Sequence, residues 1–162
     1  MPCVYLHGEG DQVIHRYGHV WPNCFPENCP PEEQSDEHDM SIYRLCYDRY
    51  VLSSDDFVCD YANPHKAKKY RGRPVDELKL IKAHGISVYD DEETAVYWLQ
   101  SLHMRRFFKA IAKGNGCNGY SCDEGGHHFI WWSYADVDPL NHFQMVYSTP
   151  EEEEGGEDDG IL

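Results

Sequence analysis

The run His128-Phe129-Ile130-Trp131-Trp132-Ser133-Tyr134 constrains the fold more than any other stretch of this chain. It is apolar, short and bounded by turn signals, Gly125-Gly126 before it and Ala135 to Pro139 after it. Such a run reads as a buried strand. Successive side chains of a strand point to opposite faces, so Trp131 and Trp132 cannot share one core. One of them fits a core. The other needs a second layer, a ligand or a partner, which makes both candidate interface residues.

The remaining patterning predicts the partners of that strand. Val4-Tyr5-Leu6 and Val13 to Tyr17 suggest two short strands. Residues 21–40 hold Pro22, Pro26, Pro30 and Pro31 and then an acidic run, so they read as a long loop. Residues 41–52 predict a strand with Tyr43, Leu45, Tyr47 and Val51 on one side and Arg44 and Asp48 on the other. Phe57 to Tyr61 predicts a further strand. Pro74 opens a helix running to His84, with Gly85 as its C-terminal cap. Ile86 to Tyr89 is a short strand. Asp90 and Glu93 have capping-box spacing, and Val96, Leu99, His103, Phe107 and Ile111 form a helical stripe, so a helix is expected over 91–113. Residues 114–126, with five glycines, read as a turn-rich loop, and 140–147 as a strand returning against the tryptophan strand. The fold class that follows is α+β: a mainly antiparallel sheet packed by two central helices. At 162 residues the chain fits one domain, taken as 1–150, followed by a disordered acidic tail over 151–162.

Charge is unevenly spread. Residues 1–65 carry 3 basic and 12 acidic groups, 66–113 carry 11 and 6, and 114–162 carry 11 acids and no Lys or Arg. The net charge of −15 repels nucleic acid and anionic membrane at long range, so nucleic acid is disfavoured as the primary ligand. The same field attracts a basic protein. No apolar stretch is long enough for a transmembrane helix. The first residues show neither a basic nor an apolar leader segment, so a cytoplasmic location with reduced thiols is expected.

Three groups of residues can carry chemistry. Cys24 and Cys29 form one pair, and Cys117, Cys122 and His127 another; thiolates and imidazole among glycines suit tetrahedral zinc, although four-residue gaps are wider than the usual knuckle spacing. His15, Arg16, His127 and His128 are candidate catalytic residues, since imidazole titrates near neutrality. Lys68, Lys69, Tyr70, Arg71 and Arg73 lie in one basic run where a tyrosine can stack a base and the cations hold phosphate. That run also reads as a solvated loop balancing the acidic flanks.

The function expected from these features is binding: a small acidic protein that regulates or neutralises a more basic partner, as an inhibitor, immunity protein or accessory subunit does. Glu32, Glu33 and Asp36 of the acidic loop steer the encounter, and Trp131 and Trp132 supply the anchors. Two alternatives stand beside it: an enzyme acting on a phosphate-bearing small molecule or nucleotide with His and Arg chemistry, and a zinc-stabilised interaction module.

Overall fold

The computed structural model describes residues 19–72 and 74–151. Among these residues six strands form one sheet: β1 (Ser41–Cys46), β2 (Ile86–Tyr89), β3 (Ala110–Asn115), β4 (Gly119–Gly125), β5 (His128–Ser133) and β6 (Gln144–Ser148). Their order is β4-β5-β2-β1-β3-β6, with every pairing antiparallel. Two helices, α1 (Glu77–Ala83) and α2 (Glu92–Leu99), complete an α+β fold. The two strands expected before residue 18, and the tail beyond Glu151, lie outside the described residues.

β5 places its two tryptophans on opposite faces, as strand geometry requires. Trp132 is 0% exposed and Trp131 1%, so both faces are core. On one face Trp132, Ile130, Tyr120 and Cys122 pack under Ile81 of α1, and Tyr43, Leu45, Tyr89 and Ile111 pack under Ala95 and Leu99 of α2. This is the helical face. On the other, Ile42, Cys46, Val88, Ala112, Phe129 and Trp131 are covered by irregular chain carrying Cys59, Ala62 and Phe143.

β1 departs from its expected extent and from its expected polar side. It ends at Cys46 because Asp48 Oδ1 accepts from the amides of Tyr50 and Val51 at 2.7 and 3.0 Å, turning the chain out of the sheet. Its Arg44 side is buried as well. The guanidinium donates from Nε to the Asp56 carbonyl at 2.8 Å and from Nη1 to the Ser87 carbonyl at 2.9 Å. Residues 57–61 are not a strand. Ser54–Phe57 is a 3-10 turn, drawn in by Asp56, whose carboxylate is 1% exposed and accepts from the amides of Tyr47 and Ser53 at 2.8 and 2.9 Å.

The largest correction concerns the expected helix over 91–113. α2 stops at Leu99, a 3-10 turn spans Met104–Arg106, and Ala110–Asn115 is β3. Ala110, Ile111 and Ala112 are all fully buried, and β3 pairs with the whole of β1. Burial on both sides suits a central strand and contradicts a one-sided helix. Helix α2 is capped by Asp91, not Asp90: Asp91 Oδ2 accepts from the Thr94 amide at 3.0 Å and hydroxyl at 2.7 Å. Those bonds hold the Asp91 carboxyl below the usual carboxylate range.

Residues 119–125 are likewise a strand, and the hairpin partner of β5 is β4. β6 instead pairs with β3 at the other edge. The β4–β5 turn uses Gly126 at φ 61° and His127 at φ 65°, the pair of left-handed residues that a tight two-residue hairpin turn requires. Gly85 does follow α1, but not in the left-handed region. A Cβ there would lie 2.5 Å from Ile130 Cγ2, so glycine lets α1 and β2 close onto β5.

Candidate functional site

Irregular chain packs a sheet less tightly than a helix does, and on the Trp131 face it leaves a cavity of about 260 Å³. Ile86 and Trp131 form its floor, and Phe25, Phe57 and Val58 its apolar walls. Phe25 also belongs to the helical-face cluster. The polar lining consists of Ser54, Asp55, Cys59, His84, Ser133 and Asp138; no Lys or Arg of the described residues lines it.

His84 is held firmly. Its Nδ1 lies 2.8 Å from the Leu80 carbonyl, which can only accept, so Nδ1 carries the proton and Nε2 keeps its lone pair. The ring stacks on Tyr61 at 4.2 Å and meets Phe25 edge-on at 6.0 Å. Burial pushes its pKa below the ordinary histidine value, against the opposing pull of the Leu80 bond, so the imidazole is neutral at pH 7. The Cys59 thiol is pushed up by burial and stays protonated. Asp55 sits in the Ser54–Phe57 turn. Asp138 accepts from the Leu140 amide at 3.1 Å, capping the 3-10 turn Pro139–Asn141. Neither carboxylate has a cationic partner among the described residues. The charge of the cavity at neutral pH is therefore negative.

Of the residues singled out from the sequence, the described ones are scattered by the fold. His15, Arg16 and Arg73 lie outside the described residues. His127 sits in the β4–β5 turn with Nδ1 2.8 Å from Asp90 Oδ1. His128 places Nε2 3.0 Å from Ser87 Oγ and packs on Tyr89; burial holds its pKa low. Neither histidine lines the cavity. In the basic run, Lys68 and Lys69 are exposed, and Arg71 lies over the Tyr61 ring at 5.2 Å. Tyr70 also neighbours Tyr61, at 6.4 Å.

The expected zinc ligands are not brought together either. Cys24 is held in a disulfide, which also departs from the expectation of uniformly reduced thiols. Cys29 is buried, with Sγ 3.7 Å from the Ile81 carbonyl. Cys122 points from β4 into the helical-face core, while His127 is turned outward and Cys117 precedes the strand. Among the described residues no group of three or more His, Cys, Asp or Glu is placed to hold a metal ion. The physical reason is β4 itself, which replaces the expected loop with an extended strand that spreads its side chains over two faces.

Trp131 and Trp132 are core residues, 1% and 0% exposed, so neither stands on the outer surface; of the two, Trp131 alone borders the cavity. Glu32 and Glu33 are exposed, whereas Asp36 forms a backbone bridge to Ser121 that covers the β4 edge. The cavity residues Asp55, His84 and Asp138 carry no local motif; their convergence comes from chain segments far apart in sequence. Among the described residues no helix is long and apolar enough to cross a membrane. No family model, curated protein or solved structure matches this chain.

Proposed function

We propose that this protein binds a basic partner by taking one of its lysine or arginine side chains into the Trp131 cavity. The observation that carries this reading is the cavity's charge pattern among the described residues: an aromatic and apolar lining, two carboxylates without cationic partners, and no lining cation. The alkyl stem of a basic side chain packs on Trp131 and Phe57, and its charged head meets Asp55 and Asp138. Neutral His84 offers Nε2 as a further acceptor. Carboxylates at the same place repel phosphate, which weighs against a nucleotide occupant. Size points the same way, because about 260 Å³ is below the range of about 300–1,000 Å³ typical of drug-sized ligands. The overall charge of −15 adds long-range attraction for such a partner.

Calorimetric titration with penta-lysine, penta-arginine and a neutral Gly-Ser peptide of equal length tests this. Both basic peptides are expected to bind, with affinity falling as salt rises. In the Asp55→Asn/Asp138→Asn double variant binding weakens about tenfold, two exposed charge pairs at roughly 0.7 kcal/mol each. Asparagine retains the cap at 138. Equal binding of the neutral peptide, or an unchanged affinity in the double variant, overturns the reading.

A further inference from the structure

On the helical face, the surface over α2 has the opposite character. The C-terminal half of α2 and the turn after it expose Tyr97, Trp98, Leu102 and Phe107, the last two at 71% and 54%. Arg105 and Arg106 stand among them, exposed, and neither guanidinium has an acidic partner among the described residues. Exposed apolar side chains, with Tyr97 and Trp98 in edge-on contact at 5.4 Å, beside uncompensated cations call for an acidic, partly apolar cover.

The chain supplies one at this corner. Phe108 stacks on Tyr47 at 5.0 Å, and the Lys109 amide donates to the Cys46 carbonyl, which fixes the turn to the end of β1. Beyond β6 the Thr149 amide donates to the Lys109 carbonyl at 2.8 Å. Arg49 donates from Nε to the Thr149 carbonyl at 2.7 Å and from Nη2 to the Pro150 carbonyl at 3.2 Å. The last described residues are thus locked beside Lys109, next to Arg105, Arg106 and Phe107. Residues 152–162 follow; they carry six acidic groups and no basic one, and end in Gly160-Ile161-Leu162. Eleven residues reach at most about 37 Å when extended, enough to lie along this surface.

We infer that residues 152–162 dock on the surface formed by 97–107, their carboxylates on Arg105 and Arg106 and Ile161-Leu162 against the exposed aromatic and leucine side chains. The contact shields the cationic, apolar end of the molecule from acidic partners and from other copies of the chain. It does not depend on the cavity reading, which concerns the other face and the opposite charge.

Hydrogen exchange on the full chain and on a chain ending at Glu151 tests it. Removing 152–162 is expected to speed exchange over 97–109 and leave β5 unchanged, and 1 M salt should do the same to the full chain. The full-length Arg105→Gln/Arg106→Gln variant should show about a fivefold smaller docked-to-open ratio. The synthetic peptide 152–162 should restore protection to the shortened chain at low salt. Identical exchange with and without the tail, or failure of the peptide to protect, overturns the inference. Protection that follows protein concentration and ignores the tail also overturns it, and assigns the surface to a second copy.

Discussion

The helical face and the cavity face of the sheet carry adjacent tryptophans but are closed by different means. Trp132 donates from Nε1 to the Ile81 carbonyl at 3.1 Å and lies under α1, a regular element whose side chains interdigitate with β4 and β5. Trp131 donates to the Gly116 carbonyl at 3.2 Å and forms the floor of a cavity roofed by turns. Turns must satisfy their own backbone groups before they can pack apolar ones. The Ser54–Phe57 turn does so through buried Asp56, and a cavity is left over. Regular cover gives density, and irregular cover leaves space.

Truncating each tryptophan tests that contrast most sharply. Trp132→Ala leaves a hole that α1 cannot collapse into and is expected to cost about 3–5 kcal/mol. Trp131→Ala enlarges a cavity that already exists, so it should cost less. Urea unfolding of both variants decides; equal losses would mean that the two faces are equally well packed. The next largest effect is expected at the turn. Asp56→Ala strands the amides of Tyr47 and Ser53 and should cost about 1–3 kcal/mol, while calorimetry with penta-lysine should show weakened binding because the cavity wall loosens. Retained binding at that stability loss would separate the turn from the site.

The smallest expected effect is a pH dependence shared by both faces. Burial depresses the folded-state pKa of His84, on the cavity, and of His128, on the helical face. Each therefore contributes stability that is fully present above the ordinary value of 6.5 and lost as pH falls through the lower folded value. Stability measured by urea at successive pH values should drop on acidification from pH 7.5. His84→Gln and His128→Gln should each flatten the drop. An unaltered profile in both variants would place the acid sensitivity elsewhere.

Much of the core was legible because it depends on alternation and on local caps. The strand around Trp131, the short strand Ile86–Tyr89 and the helix before Gly85 follow from spacing, but that helix starts at Glu77 and not at Pro74, because Asp76 caps it by accepting the Lys79 amide. The expected helix over 91–113 failed where two periodicities overlap. Phe107 and Ile111 satisfy a helical stripe, but Ala110-Ile111-Ala112 is also a short apolar run, and pairing with β1 decided in favour of the strand. The glycines at 114–126 signalled turns; at Gly119 glycine instead permits close approach, since a Cβ would lie 2.0 Å from the Trp132 carbonyl. None of the cavity's polar residues was legible, because Asp55, His84 and Asp138 belong to unrelated segments.

By itself the sequence determined the fold class, the opposite burial of Trp131 and Trp132, and the separation of acidic flanks from a basic middle. These follow from strand alternation and from composition, which act along the chain. The tertiary structure alone decided that Ala110–Asn115 is a strand, that among the described residues the candidate cysteines and histidines form no metal-binding group, and that Asp55 and Asp138 share a cavity. Those outcomes depend on which distant segments compete to cover each face of the sheet, and local propensity is too weak to settle that competition.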